Sequence, residues 1–213
     1  MVSDSYWARR SKMYYYAYAC DLIRAFGADA KSMIDVGSGN ARYMEEFYWI
    51  ETRHALDKTK AYSSDCITAI TANFLTFEPQ RKYDFAVCMQ VLEHVKPARR
   101  FAAKLFEVAD RVLISVPLQW PAGRVPGHIN DPVDLEKLRT WTGRDPSYSV
   151  VVAEPLQEDS SRNRLIAYYH PAGIEFSFDE FRNNQRPKSP PAKPPRARGC
   201  VAGLLRLSRR WTR

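Results

Sequence analysis

The chain has 213 residues, 45% of them hydrophobic and 26% charged, which suits one globular domain with a sizeable core and a short appendage. Its formal net charge of +8 is lopsided: residues 182–213 hold ten of the 32 Lys and Arg and no acid, so the other 181 residues carry 22 bases against 24 acids. That balance argues against a broad phosphate-binding face on the body, and no apolar run is long enough to span a bilayer.

In chain order, YWARRSKMYYYAYACDLIRAF (6–26) predicts a helix, with Tyr15, Tyr18, Leu22, Ala25 and Phe26 at helical spacing and Gly27 as the stop. SMIDV (32–36) is a short buried strand and ARYMEEFYWI (41–50) a second helix. HALD (54–57) is a strand ending in an acid, and CITAITANF (66–74) is β-rich. YDFAVCMQ (83–90) is a buried strand, followed by the helix PARRFAAKLFEVA (97–109) with Pro97 in its first turn. RVLISVP (111–117) is another buried strand and LEKLRTW (135–141) a short helix. Two further strands, in YSVVVAEP and NRLIAYYHP, close the folded part. Strands alternating with helices predict an α/β fold of the Rossmann-like, doubly wound kind: a mostly parallel seven-stranded sheet, helices on both faces, and an antiparallel addition at one edge.

The domain is expected to occupy residues 1–182. Beyond it, NNQRPKSPPAKPPRARG holds five prolines and several bases and reads as a disordered linker. The tail, 183–213, is expected to touch an anionic surface or nucleic acid, or nothing. The N-terminal MVSDSYWARRSK lacks the apolar core of a signal peptide, so a cytoplasmic location is expected. Cys20, Cys66, Cys88 and Cys200 are widely spaced without a C-x-x-C pair, which argues against both a zinc ribbon and a disulfide framework.

SMIDVGSGNARYMEEF (32–47) breaks the pattern. An apolar run with an embedded acid, Asp35, ends in Gly37-Ser38-Gly39. A doubly wound sheet binds ligands at the carboxyl ends of its strands, where glycine lets backbone turn sharply and approach closely. The dinucleotide pattern G-x-G-x-x-G would need a third glycine where Arg42 stands, and the Walker ending G-K-S/T is absent.

The stretch resembles the first motif of the class I S-adenosylmethionine-dependent methyltransferases, an acid-x-G-x-G-x-G pattern after the first strand. Asp35, Gly37 and Gly39 match, and Ala41 stands for the last glycine. Asp57, 20 residues after Gly37, falls where the family holds the ribose hydroxyls. Asn73-Phe74 resembles the third-strand motif that meets the adenine, with Asn in place of the usual Asp. CMQVLEHV (88–95) is similar to the fourth-strand segment, which adds Gln90 to the expected cofactor contacts, and RVLISVP fits the fifth strand. The resemblance runs in order from about residue 10 to 170 and implies S-adenosylmethionine as cofactor.

Methyl transfer is an in-line displacement, so a hydroxyl acceptor needs alignment and a base. Candidates follow strands four and five: Glu93 and His94, and, in the loop LQWPAGRVPGHINDP (118–132), His128 and Asp131. Aromatic residues at 14–18, 120 and 141 are candidates for the pocket wall. The resemblance also carries a metal reading, because quinone and small-RNA methyltransferases bind a divalent cation through E-x-x-E-H. Here Gln90 replaces the first glutamate, which weakens a hard-cation site, and no metal is expected. The loop from Val116 to Pro146 looks like that of bacterial methyltransferases found with surface-polysaccharide genes. The expected acceptor is therefore a small hydroxylated molecule, a sugar or glycan precursor. The alternatives are a metal-assisted RNA or quinone O-methyltransferase and a non-catalytic protein that binds cofactor or partner.

Overall fold

A computed structural model describes residues 7–8, 10–154 and 162–183. Cys200 and all but the first residue of the predicted tail lie outside the described residues. Short apolar runs form seven strands: β1 (Ser32–Val36), β2 (Thr52–Asp57), β3 (Thr68–Thr71), β4 (Tyr83–Met89), β5 (Ala109–Pro117), β6 (Tyr148–Val152) and β7 (Arg164–Tyr169). They make one sheet in the order β3-β2-β1-β4-β5-β7-β6. The first five are parallel, while β7 runs antiparallel to both β5 and β6. The antiparallel strand therefore lies one place in from the edge, and β6 is the edge itself.

The pleat sorts side chains between two cores. Met33, Phe85, Leu113, Ile166 and Tyr168 face α1 (Tyr14–Phe26), whereas Ile34, Val36, Cys88, Ile114 and Tyr169 face α2 (Ala98–Val108) and α3 (Leu135–Thr142). A short α4 (Phe178–Asn183) follows β7.

Three predicted elements differ. The helix expected over 6–26 is interrupted. Ser11 bonds back to the Ala8 carbonyl through its hydroxyl, Met13 is extended, and α1 begins at Tyr14. Tyr18 leaves the buried stripe and instead shares a 3.0 Å hydrogen bond with the Tyr148 hydroxyl. The helix expected over 41–50 is a 3₁₀ turn, Tyr43–Glu46, continued by further i→i+3 bonds at Phe47 and Ile50. Met44, Phe47 and Ile50 recur every three residues and are fully buried, so a three-residue period serves them better than 3.6. The β-rich run over 66–74 forms an isolated bridge from Ile67 to Ser64 and a strand over Thr68–Thr71, and then turns into a 3₁₀ segment at Phe74.

Nothing in its own first turn caps α1. Glu154, at the end of β6, does so from 140 residues away: its carboxylate accepts the N–H of Tyr14 at 2.8 Å and of Tyr15 at 3.1 Å. Glu154→Ala removes that charged acceptor from a buried site and should lower stability by about 2 kcal/mol, read from urea unfolding. An unchanged midpoint would show that α1 is held by apolar packing alone.

Candidate functional site

The carboxyl ends of β1, β2, β4 and β5 share one edge of the sheet, and most of the predicted site residues follow them. Gly37 has φ 78° and donates its N–H to Leu56 O at 2.8 Å. A Cβ there would stand 2.5 Å from Val91 Cγ2, so only glycine lets the loop lie against the turn after β4. Gly39, at φ 52°, donates to Asp57 Oδ2 at 3.1 Å, and a Cβ built on it would meet nothing within 4 Å. The loop therefore has one packed side and one open side. Ala41, where the motif would have glycine, is buried, with its N–H on Ser38 O.

Asp57 ties this corner together. Its Oδ1 accepts from Thr59 N (2.8 Å), Thr59 Oγ1 (2.9 Å) and Lys60 N (3.3 Å), in addition to the Gly39 bond on Oδ2. Asn73 and Phe74 part company. Asn73 is exposed and its Oδ1 accepts from Leu75 N, while Phe74 is buried 4.7 Å from Phe101 in the core. Asp35 is 2% exposed, and among the described residues neither its Oδ2 nor the buried Ser38 and Tyr43 hydroxyls has a hydrogen-bond partner. Burial pushes its pKa up to about 7. The Tyr43 hydroxyl works against the shift, and the charge of Asp57 adds to it.

The second half of the site follows β4 and β5. Gln90 takes the left-handed conformation (φ 57°), at a cost of about 1 kcal/mol. It is held by N–H to Ser115 O at 2.8 Å and Nε2 to Ser115 Oγ at 2.9 Å. The 3₁₀ turn Leu92–His94 then sends Glu93 inward. Glu93 is fully buried with neither carboxylate oxygen partnered among the described residues, and burial pushes its pKa up to about 8. Asp131's charge raises it as well, while the Arg10 and Arg164 charges lower it.

The loop after β5 folds back onto this turn through backbone. Ile129 and Asn130 donate their N–H groups to Glu93 O at 2.9 and 3.2 Å, and Asn130 Nδ2 donates to Leu92 O (2.7 Å) and Val95 O (2.9 Å). The clamp brings two histidines together. His94 Nδ1 meets Gly127 O at 2.9 Å, His128 Nδ1 meets Asp131 Oδ2 at 2.7 Å, and the rings stand edge to face at 4.6 Å. Trp120 stacks on His128 at 5.7 Å. With each Nδ1 engaged, Nε2 is the free nitrogen on both rings. One donor atom each from Glu93, His94 and His128 lies within 4.8 Å of the others, a carboxylate-and-imidazole set with its histidines already oriented by outer partners.

Glu93, His94, His128 and Asp131, predicted from two separate segments, thus converge. Of the aromatic candidates, Trp120 joins them, Tyr14 and Tyr18 are exposed, and Trp141 sits on α3 under Lys137 Nζ. Sequence reasoning missed Asn130, which reads as a turn residue in GHINDP. It also missed Tyr43, hidden in a run read as helix, and Arg164, hidden at the start of a strand.

A family model described as a methyltransferase domain matches residues 6–175. No curated protein matches the sequence. Among solved structures, the chain is similar to the N-methyltransferase NodS from Bradyrhizobium japonicum WM9 in complex with S-adenosylhomocysteine. The TM-score is 0.63 at 12% identity, covering 80% of this chain and 93% of that one. It is also similar to the Burkholderia thailandensis 1,6-didemethyltoxoflavin N1-methyltransferase with S-adenosylhomocysteine (TM-score 0.55, 16% identity, 78% and 84% covered). A third is the magnesium protoporphyrin IX methyltransferase of Synechocystis PCC 6803 with S-adenosylhomocysteine (TM-score 0.54, 16% identity, 72% and 80% covered).

Asp35 gives a pH signature. Its folded pKa lies above the ordinary value, so the native state keeps a proton that the unfolded chain releases between about pH 4 and 7. Its contribution to stability therefore falls as pH rises through that window. Asp35→Asn should gain on the wild type by about 1 kcal/mol per pH unit between pH 5 and 7 in urea unfolding. A gap that stays constant with pH would mean that the carboxyl ionises normally.

Proposed function

The chain belongs to the methyltransferase domain family and is an S-adenosylmethionine-dependent methyltransferase; from that premise we propose that its acceptor is a small hydroxylated molecule, a sugar or glycan precursor. When bound, the cofactor supplies a methyl group made electrophilic by its sulfonium. The residues at the glycine loop fit it. Gly39 borders open space, Asp57 Oδ2 keeps a lone pair beyond its Gly39 bond for a ribose hydroxyl, and Asp35, Ser38 and Tyr43 offer buried polar atoms to a charged amino-acid end. Gln90, Asn73 and the backbone at Phe74 complete the assigned contacts.

One observation carries the choice of a hydroxyl acceptor: the 2.7 Å bond from His128 Nδ1 to Asp131, which leaves Nε2 to take the acceptor's proton. With the cofactor bound, His128 would take and hold the acceptor's proton during methyl transfer, and Asp131 would steady the ring. Glu93 and His94 line the same pocket. The 1,6-didemethyltoxoflavin and magnesium protoporphyrin IX methyltransferases are named for very different acceptors, consistent with a shared cofactor half and a variable acceptor half.

Incubation with labelled cofactor and separate glycan, lipid and RNA fractions identifies the acceptor class, with label expected in the glycan fraction. With that acceptor, His128→Ala should cut turnover by about 10²- to 10⁴-fold and leave S-adenosylhomocysteine affinity near wild type. Full turnover in the variant would leave alignment alone to explain the rate.

A second reading rests on the 4.8 Å cluster of Glu93, His94 and His128, in which a divalent cation would be held and would order an acceptor hydroxyl of RNA or a quinone. Two imidazoles favour a transition metal over magnesium. Loss of activity with a chelator, restored by added metal, would move His128 from base to ligand. Activity indifferent to chelator would retire the metal. We infer a cytoplasmic location; among the described residues no helix is long and apolar enough to cross a membrane. Residues 183–213 are proposed to form a separate basic tail that contacts an anionic surface or nucleic acid, so their deletion should leave cofactor affinity unchanged.

A further inference from the structure

Arg164 opens β7, which runs against β5 and pairs Arg164 with Pro117, so its side chain stands at the edge where β4 and β5 end. It is only 3% exposed, yet its guanidinium is sparsely bonded. Nη1 donates to Arg162 O at 3.0 Å and lies 3.6 Å from Glu154 Oε1, and Nε has no partner among the described residues. Glu154 is already committed to the Tyr14 and Tyr15 N–H groups. A guanidinium presents five donors in one plane, and among the described residues its hydrogen bonding runs through Nη1 alone.

The faces of that plane are covered by aromatic rings. Its Cζ lies 4.4 Å from the Tyr15 ring centre and 5.3 Å from that of Trp120. Trp120 also stacks on His128, and its indole N–H is pinned to Asn163 O at 3.1 Å. Arg10 brings a second guanidinium to the same corner, with Nη1 on the Tyr15 hydroxyl at 2.9 Å. Both arginines are close enough to Glu93 to act on its ionisation. Unmatched donors in a buried guanidinium keep the full cost of desolvation, which carbonyl or anionic acceptors would offset.

We propose that Arg164, with Arg10 beside it, forms an anion-recognising subsite of the acceptor pocket, so that the methyl acceptor carries a carboxylate or phosphate in addition to its hydroxyl. The proposal rests on the methyltransferase reading and names the acceptor's class more narrowly. Two oxygens of such a group match the parallel N–H vectors of Nε and Nη2, a fit that an ammonium cannot copy. The anion is bound one ring away from His128, through Trp120, which sets the acceptor's hydroxyl at a fixed reach from the base. A neutral sugar leaves the guanidinium edge unpaired and is rejected for that reason.

The Trp120 indole N–H signal, assigned through Trp120→Phe, reports the subsite in the full chain loaded with S-adenosylhomocysteine. Sodium acetate and inorganic phosphate are titrated at constant ionic strength against sodium chloride. Acetate or phosphate should move the signal saturably and chloride should not, and the tighter of the two identifies the acceptor's acidic group. Arg164→Lys keeps the charge and loses the fork, and should weaken the response at least tenfold with unchanged S-adenosylhomocysteine affinity. If that variant does not fold, Arg10→Gln should weaken it at least threefold. A wild-type signal that responds no more to acetate or phosphate than to chloride overturns the proposal, as does an undiminished response in the folded variant. Failure to load S-adenosylhomocysteine at all would instead strike the methyltransferase reading itself.

Discussion

The contact between Gly37 and Val91 is the constraint on which the site depends. Gly37 belongs to the loop that leaves β1, and Val91 to the turn that leaves β4. A single added methyl would stand 2.5 Å from the valine. Because that methyl is missing, the two loops touch, and the half-site of Asp35, Gly39 and Asp57 abuts the half-site of Gln90, Glu93 and His94. Parallel pairing of β1 with β4 holds their ends level, and the left-handed backbone at Gly37 and Gln90 turns both chains away from the sheet at nearly the same height. Methyl transfer demands donor and acceptor in line at van der Waals distance, and this junction brings the proposed cofactor and acceptor halves together.

The same edge concentrates the electrostatic cost of the fold. Asp35 Oδ2 and both carboxylate oxygens of Glu93 are buried without hydrogen-bond partners among the described residues, and burial raises the two pKa values to about 7 and about 8. Arg164 is a buried base with unmatched donors. Away from this edge, the half-buried Asp84 takes the N–H groups of Lys31 and Ser32, and Arg111 makes a two-bond pair with the exposed Asp29. Unmatched groups gathered at one edge, over two well-packed cores, are what a site preorganised for a charged cofactor and a polar acceptor requires. The cores make this tolerable: the strand interiors of β4, β5 and β7 are almost wholly apolar and closed to water.

Much of this was legible in the sequence, and the reasons are local. Strands buried on both faces announce themselves as unbroken apolar runs, so β1, β4 and β5 fall where YDFAVCM and its like predict. Gly37 and Gly39 were legible as turn residues, and both take positive φ after β1, with Asp57 closing β2 beside them. The convergence of Glu93 and His94 with His128 and Asp131 followed from topology, since adjacent parallel strands deliver their following loops to one edge. What stayed hidden depends on contacts between residues far apart in sequence. The 3₁₀ path through Tyr43–Glu46 is chosen by three-residue burial spacing against α1, which a helical pattern over ten residues conceals. Glu154 caps a helix 140 residues away, and no local pattern marks it. Asn130 and Arg164 are single polar residues whose use appears only when their partners are in place.

Calorimetric titration of the protein with S-adenosylhomocysteine tests the central reading most directly, with NAD, another adenosine-containing cofactor, as the control. A one-to-one isotherm with S-adenosylhomocysteine, weakened by about 1 to 3 kcal/mol in Asp57→Ala and absent with NAD, is the expected result. Silence with S-adenosylhomocysteine and a clear isotherm with NAD would contradict it.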